Sequence, residues 1–100
     1  MVTKQRINKT KIRKTRVTFA MPAINDCNSL YLVGRFNEWG ESVYRMQHAE
    51  DGTWSLVLEL DPGHEYQYRY RTDKGTWHTD PVANGNVTNP DGSTNSVLRV

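Results

Sequence analysis

Three tryptophans and a row of arginines hold most of the recognisable chemistry in this chain of 100 residues. Trp77 follows the turn sequence Asp73-Lys74-Gly75, in a segment with almost nothing apolar around it. Trp39 lies within Gly34-Arg35-Phe36-Asn37-Glu38-Trp39-Gly40, where the flanking glycines allow unusual dihedrals. Trp54 differs from both. It is in phase with Leu56, Leu58 and Leu60, the alternation that buries one side of a strand, and is assigned to the core. From Glu65 to Thr72, Tyr66, Tyr68 and Tyr70 alternate with Gln67, Arg69 and Arg71. Successive side chains of a strand point to opposite sides, so the tyrosines share one face and Arg69 and Arg71 the other. Trp77 beside an outward arginine row, with no hydrophobic neighbours to bury it, suggests a surface that binds something flat.

Covalent chemistry finds little support. The chain contains no Gly-rich phosphate loop, nucleophile elbow or paired zinc ligands. His48, His64 and His78 are far apart and read as surface residues. The carboxylates fall mostly in turns, where Asp and Glu are expected. A glycosidase needs two of them held across a cleft, which a small β-sandwich hardly offers. No catalytic residue, metal site or cofactor is assigned. Cys27 is the sole cysteine, which excludes an internal disulfide and fits a reducing compartment or a small buried hydrophobe. Asn8-Lys9-Thr10 and Asn86-Val87-Thr88 match the glycosylation pattern by chance, since no secretory signal accompanies them. No apolar run has the length of a membrane span or a signal-peptide core. The expected location is cytoplasmic.

The elements that must carry these residues are short strands. Arg16–Met21 alternates and is stopped by Pro22, and Leu30–Val33 is a buried apolar run. Val43–Met46 is a weak third strand. Glu50-Asp51-Gly52 is a hairpin signal leading into Trp54–Leu60, and Asp61-Pro62-Gly63 is a turn leading into the tyrosine strand. Pro81 to Gly92 reads as loop, and Asn95–Val100 as a closing strand. The fold class is therefore all-β, an immunoglobulin-like antiparallel β-sandwich of about seven short strands. Charge divides the chain. Lys4, Arg6, Lys9, Lys11, Arg13, Lys14 and Arg16 give the first 16 residues +7 with no acid, against −5 for the remainder, within a net charge of +2. Residues 1–13 show neither period and read as a flexible basic leader, and residues 14–100 as the domain. The leader could touch nucleic acid or an anionic membrane, but the acidic balance of the domain argues against a nucleic-acid-binding face.

The segment Leu30-Tyr31-Leu32-Val33-Gly34-Arg35-Phe36-Asn37-Glu38-Trp39 is followed by the Trp54–Leu60 hairpin strand and Asp61-Pro62-Gly63. Then come Tyr68-Arg69-Tyr70, Asp73, Gly75, Trp77, Asp80-Pro81 and Asn95. From about Lys14 onward this combination resembles the starch- and glycogen-binding modules of the isoamylase early-set type. Those modules accompany branching and debranching enzymes and occur in the β-subunits of AMP-activated protein kinase. The resemblance also extends to small free-standing early-set proteins with a short basic leader. It implies non-catalytic binding of an α-1,4-linked glucan polysaccharide or oligosaccharide, with Trp39 and Trp77 as stacking rings. It further implies polar contacts from Arg69, where the family commonly has Lys, and from Asn95 and Ser93. A glycogen-metabolising enzyme or a kinase-type protein is the implied partner. The alternative is a protein-interaction or regulatory module with weak or lost glucan binding. Asp91 departs from the family pattern. It stands where the kinase-type modules place a leucine that reaches through the glucan ring, which argues against a preference for cyclic or strongly curved glucans.

Overall fold

The computed structural model describes residues 2–9, 12–25 and 27–100, with side chains described for Val2–Lys4 and from Lys14 onward. Ten strands follow one another among the described residues: β1 Val2–Lys9, β2 Ile12–Met21, β3 Leu30–Gly34, β4 Tyr44–Arg45, β5 Gln47–His48, β6 Trp54–Leu60, β7 Glu65–Thr72, β8 Trp77–His78, β9 Gly85–Thr88 and β10 Thr94–Arg99. A single 3-10 turn, Arg35–Asn37, follows β3. The strands form two antiparallel sheets. The first has the order β1-β2-β6-β5, and the second the order β4-β3-β7-β10-β9, with β8 also paired to β7. The expected antiparallel β-sandwich is the observed fold.

Period-two patterning explains which side chains lie between the sheets. In β6, Trp54, Leu56, Leu58 and Leu60 stand opposite Met21, Phe19, Val17 and Thr15 of β2, so both strands turn one apolar row to the same side. The second sheet contributes Leu30 and Leu32 from β3, Tyr68 and Tyr70 from β7, and Leu98 from β10. Phe19 meets Tyr68 edge-on at a ring separation of 5.3 Å, which joins the two layers. Trp54 is 2% exposed and sits in this core, as its phase with the leucines requires.

Three stretches differ from the sequence reading. The N-terminal stretch read as a leader is β1 over Val2–Lys9, in register with β2 from Val2↔Phe19 to Lys9↔Ile12. It has no apolar period of its own. The backbone groups along the edge of β2 supply its partners, and a ladder satisfies amides and carbonyls whatever the side chains are. Lys4 Nζ also donates to the Arg99 carbonyl at the end of β10. The weak third strand, read as Val43–Met46, is reduced to β4 at Tyr44–Arg45, and a further piece, β5 at Gln47–His48, follows it in the other sheet. β4 pairs with β3 and β5 with β6, and buried Met46 lies at the crossing between them. Within the stretch read as loop, Gly85–Thr88 forms β9 on the edge of β10. Among the described residues no helix is long and apolar enough to cross a membrane.

Candidate functional site

The side of the second sheet that faces away from the core takes its residues from β7 and its neighbours. Gln67, Arg69 and Arg71 point outward, since Tyr68, Tyr70 and Thr72 between them are buried inward. Register puts Val33 of β3 beside Arg69, Val97 of β10 beside Gln67, and both Tyr31 of β3 and Trp77 of β8 beside Arg71. Trp77 is therefore on the outward face because β8 returns along β7 after a tight turn. Gly75 makes that turn possible at φ 83°, where a side chain would be strained, and donates its N–H to the Thr72 carbonyl at 3.0 Å.

The Arg69 guanidinium carbon lies 4.4 Å from the centre of the Trp77 ring and that of Arg71 lies 5.8 Å away. The ring quadrupole attracts both cations, which helps to brace the indole plane. Trp77 remains 37% exposed. Trp39 is also 37% exposed, and its turn is braced from the other side. Asn37 Oδ1 accepts from the Gly34 N–H at 3.1 Å while its Nδ2 donates to the Leu32 carbonyl at 3.0 Å. The Trp39 N–H donates to the Gly34 carbonyl at 2.9 Å. Glu41, two residues on, forms an ion pair with Arg71 at 3.2 Å, which ties this turn to the outward row of β7.

The β9–β10 turn supplies a polar edge. Asn95 is 5% exposed, and its Nδ2 donates to Gln67 Oε1 at 3.1 Å and to Asn89 Oδ1 at 3.4 Å. Asn89 Nδ2 donates to Ser93 Oγ at 3.0 Å, and Ser93 Oγ donates to Asp91 Oδ1 at 2.6 Å. The Ser93 hydroxyl and then its N–H hold the Asp91 carboxyl below the usual carboxylate range, and the positive charge of Arg69 adds to this. Arg69 Nε and Asn95 Oδ1 are buried without a hydrogen-bond partner. Trp54 Nε1 and the Tyr70 hydroxyl in the core are in the same condition, so these atoms do not by themselves distinguish the outward face.

On the inward side a second network holds β8 in place. The Tyr68 hydroxyl donates to Asp80 Oδ2 at 2.9 Å, the Asp80 N–H donates to Ser96 Oγ at 2.8 Å, and the Val82 N–H donates to Asp80 Oδ1 at 3.0 Å. Burial and then the Asp80 charge push the Tyr68 phenol far above its ordinary range. Asp80-Pro81 thus anchors the chain that leaves Trp77 against β10.

Sequence comparison identifies the family. A family model described as the glycogen recognition site of AMP-activated protein kinase matches residues 16–100. The chain belongs to this family. Two chloroplast proteins are also similar. Protein FLOURY ENDOSPERM 6, chloroplastic, of Oryza sativa subsp. japonica is 34% identical over 73 residues, which is 73% of this chain and 12% of that protein. Protein PTST homolog 2, chloroplastic, of Arabidopsis thaliana is 36% identical over 58 residues, which is 58% of this chain and 10% of that protein. The matched segment is thus a small part of either relative. The expected cytoplasmic location is corrected by these names, both of which place the relative in the chloroplast. Transit peptides are recognised by features other than an apolar core, so hydropathy does not separate cytoplasm from plastid.

Within the glycogen-recognition family's framework, the sequence-assigned residues divide by accessibility. Trp39 and Trp77 are at the surface. Arg69 lies over the Trp77 ring, the Ser93 hydroxyl is engaged with Asn89 and Asp91, and Asn95 lies beneath Gln67 and Asn89. Gln67, Asn89 and Glu41 take part in the same surface and were not assigned from sequence. Strand parity already placed Gln67 in the outward row. Asn89 and Glu41 lie in turns whose path no local pattern gives. Among the described residues no group of three His, Cys, Asp or Glu side chains could hold a metal ion.

Proposed function

We propose that the outward face of the second sheet binds α-1,4-linked glucans of the glycogen and starch type, and does so without cleaving them. Trp77 carries the argument: an exposed indole plane, braced at 4.4 Å by Arg69 and standing outside the core cluster. The C–H face of a glucose ring packs on such a plane with little entropy lost, because the ring is already rigid. Trp39 is the second stacking ring, in a turn joined to the same row through Glu41 and Arg71. Hydroxyls at the sugar edge need donors and acceptors. Arg69, Gln67 and Asn89 supply them directly, and Asn95 and Ser93 act through the network that orients those side chains. Family membership supports the ligand class.

Catalysis is not part of this reading. Two carboxylates would have to flank a scissile bond. The carboxylates beside the arginine row are engaged, Glu41 with Arg71 and Asp91 with Ser93. The function that remains is to hold a partner at a polysaccharide, with a glucan-metabolising enzyme as the partner and a plastid as the setting that the relatives' names suggest. Retention on glycogen beads, with cellulose as the control, tests the reading. Binding to glycogen alone supports it. Binding to neither overturns it and leaves a module that docks protein.

A further inference from the structure

The two exposed tryptophans stand on different elements, Trp39 in the turn after β3 and Trp77 on β8, and a flat ligand needs both planes held at one spacing. The Trp39 turn is strained. Glu38 and Trp39 are consecutive non-glycine residues with φ of 55° and 61°, a conformation that persists only where the surroundings impose it. On the near side the Asn37 side chain and the Gly34 carbonyl hold it. On the far side stands Glu41, whose Oε1 lies 3.2 Å from Arg71 Nε. Arg71 in turn stands opposite Trp77 in the β7–β8 ladder, with its guanidinium 5.8 Å from that ring. Its terminal nitrogen also lies 3.4 Å from where a Cβ on Gly75 would be, over the turn that delivers Trp77. Arg71 therefore adjoins the supports of both rings.

We infer that the Glu41–Arg71 ion pair is a clasp that fixes the Trp39 turn relative to Trp77, and that it makes glucan affinity depend on ionic strength. The inference rests on the glucan reading of this face. Arg71 and Glu41 act as positioning residues and need not touch the sugar. The clasp is open to solvent, with the side chains of Arg71 and Glu41 at 27% and 58% exposure, so salt screens it. A maltooligosaccharide carries no charge. Direct contacts to it contribute no net Coulomb attraction, and any loss of affinity with salt must come through charges within the protein.

Maltoheptaose titrated against the intact protein at low and at high sodium chloride tests this. The parent should bind about two- to fivefold more weakly at high salt, the range that an exposed ion pair supports. Glu41→Gln should bind like the salt-weakened parent at both salt levels, with its melting temperature unchanged. The exchanged pair Glu41→Arg with Arg71→Glu should recover part of both affinity and salt response. A Glu41→Gln protein with the parent's affinity and the parent's salt response overturns the clasp. Amide hydrogen exchange of the ligand-free protein keeps the test separate from the glucan reading. Exchange across residues 38–43 should quicken in Glu41→Gln while residues 72–77 are unchanged. If the parent binds no glucan, the glucan reading falls, and the exchange result still decides whether the clasp exists. Unchanged exchange across residues 38–43 sinks it.

Discussion

The two faces of β7 come from one alternating sequence and do different work. Inward, Tyr68 and Tyr70 are fully buried, meet each other edge-on at 5.8 Å and lie beside a buried carboxylate, Asp80. Outward, Gln67, Arg69 and Arg71 support rings and polar turns at the surface. The inward face joins the core that includes Trp54 and Phe19. The outward face carries cations, amides and an indole plane beside two buried valines, Val33 and Val97. On the glucan reading, stability and recognition divide between the inward and outward residues of β7, and a substitution within this strand should affect one or the other according to parity.

The largest expected effect falls on the inward side. Trp54 is buried against the core with His48 stacked on its ring at 3.8 Å. Trp54→Ala should cost about 3–5 kcal/mol of unfolding free energy, the range for emptying a large aromatic site. Urea denaturation reads this directly. A variant that keeps the parent's stability but loses glucan binding would reverse the division of labour.

The buried phenols give the next test. Burial is the largest cause that pushes Tyr68 and Tyr70 upward; the Asp80 charge adds to it at Tyr68, and Tyr68 and then Asp80 add to it at Tyr70. Their folded-state values lie above the unfolded value of about 10, so the unfolded chain releases these protons first. The stability they contribute is complete below that pH and declines above it, by roughly 1.4 kcal/mol per pH unit for each phenol, or about 3 kcal/mol for the pair at pH 11. Chemical denaturation at pH 9 and pH 11 measures this, and Tyr70→Phe should halve the slope. Equal stability at both pH values would show that the inward face is wet.

Sequence made the parity of β7 and the phase of Trp54 legible, because both depend on a period that one strand carries by itself. Loop and turn context placed Trp39 and Trp77 outside the core. β1 was not legible. Its residues have no apolar alternation, and the strand exists by pairing with β2 along the full run from Val2 to Lys9. β9 was hidden in the same way, by Gly85 and polar residues that pair with β10. Within the site, parity gave the side on which Arg69 lies but not its 4.4 Å approach to Trp77, which depends on the turn at Gly75. Nor could it show that Asn95 lies beneath Gln67 and Asn89, or that Glu41 meets Arg71. Those contacts join strands to turns distant in sequence, and local chemistry does not report them.

The smallest effect on stability, and the sharpest test of the comparison, is expected at Trp77. Its ring packs on Arg69 and Arg71 and is 37% exposed, so Trp77→Ala removes cation–ring contacts worth about 0.5–1 kcal/mol and opens no void in the core. The melting temperature should shift only slightly. Stacking of a planar partner on an aromatic side chain contributes about 1–3 kcal/mol where it has been measured for nucleic-acid bases. On that scale the variant should bind maltoheptaose about tenfold more weakly or worse, since about 1.4 kcal/mol is a factor of ten. The parent's own dissociation constant should lie between the micromolar and millimolar ranges, because an open face with two rings buries little of the ligand. Tryptophan fluorescence follows the titration, with Trp39 as the remaining exposed reporter in the variant. If Trp77→Ala binds as the parent does, Trp77 is not a stacking ring of the site. If it unfolds instead, the outward face carries stability and the division between the two sides of β7 does not hold.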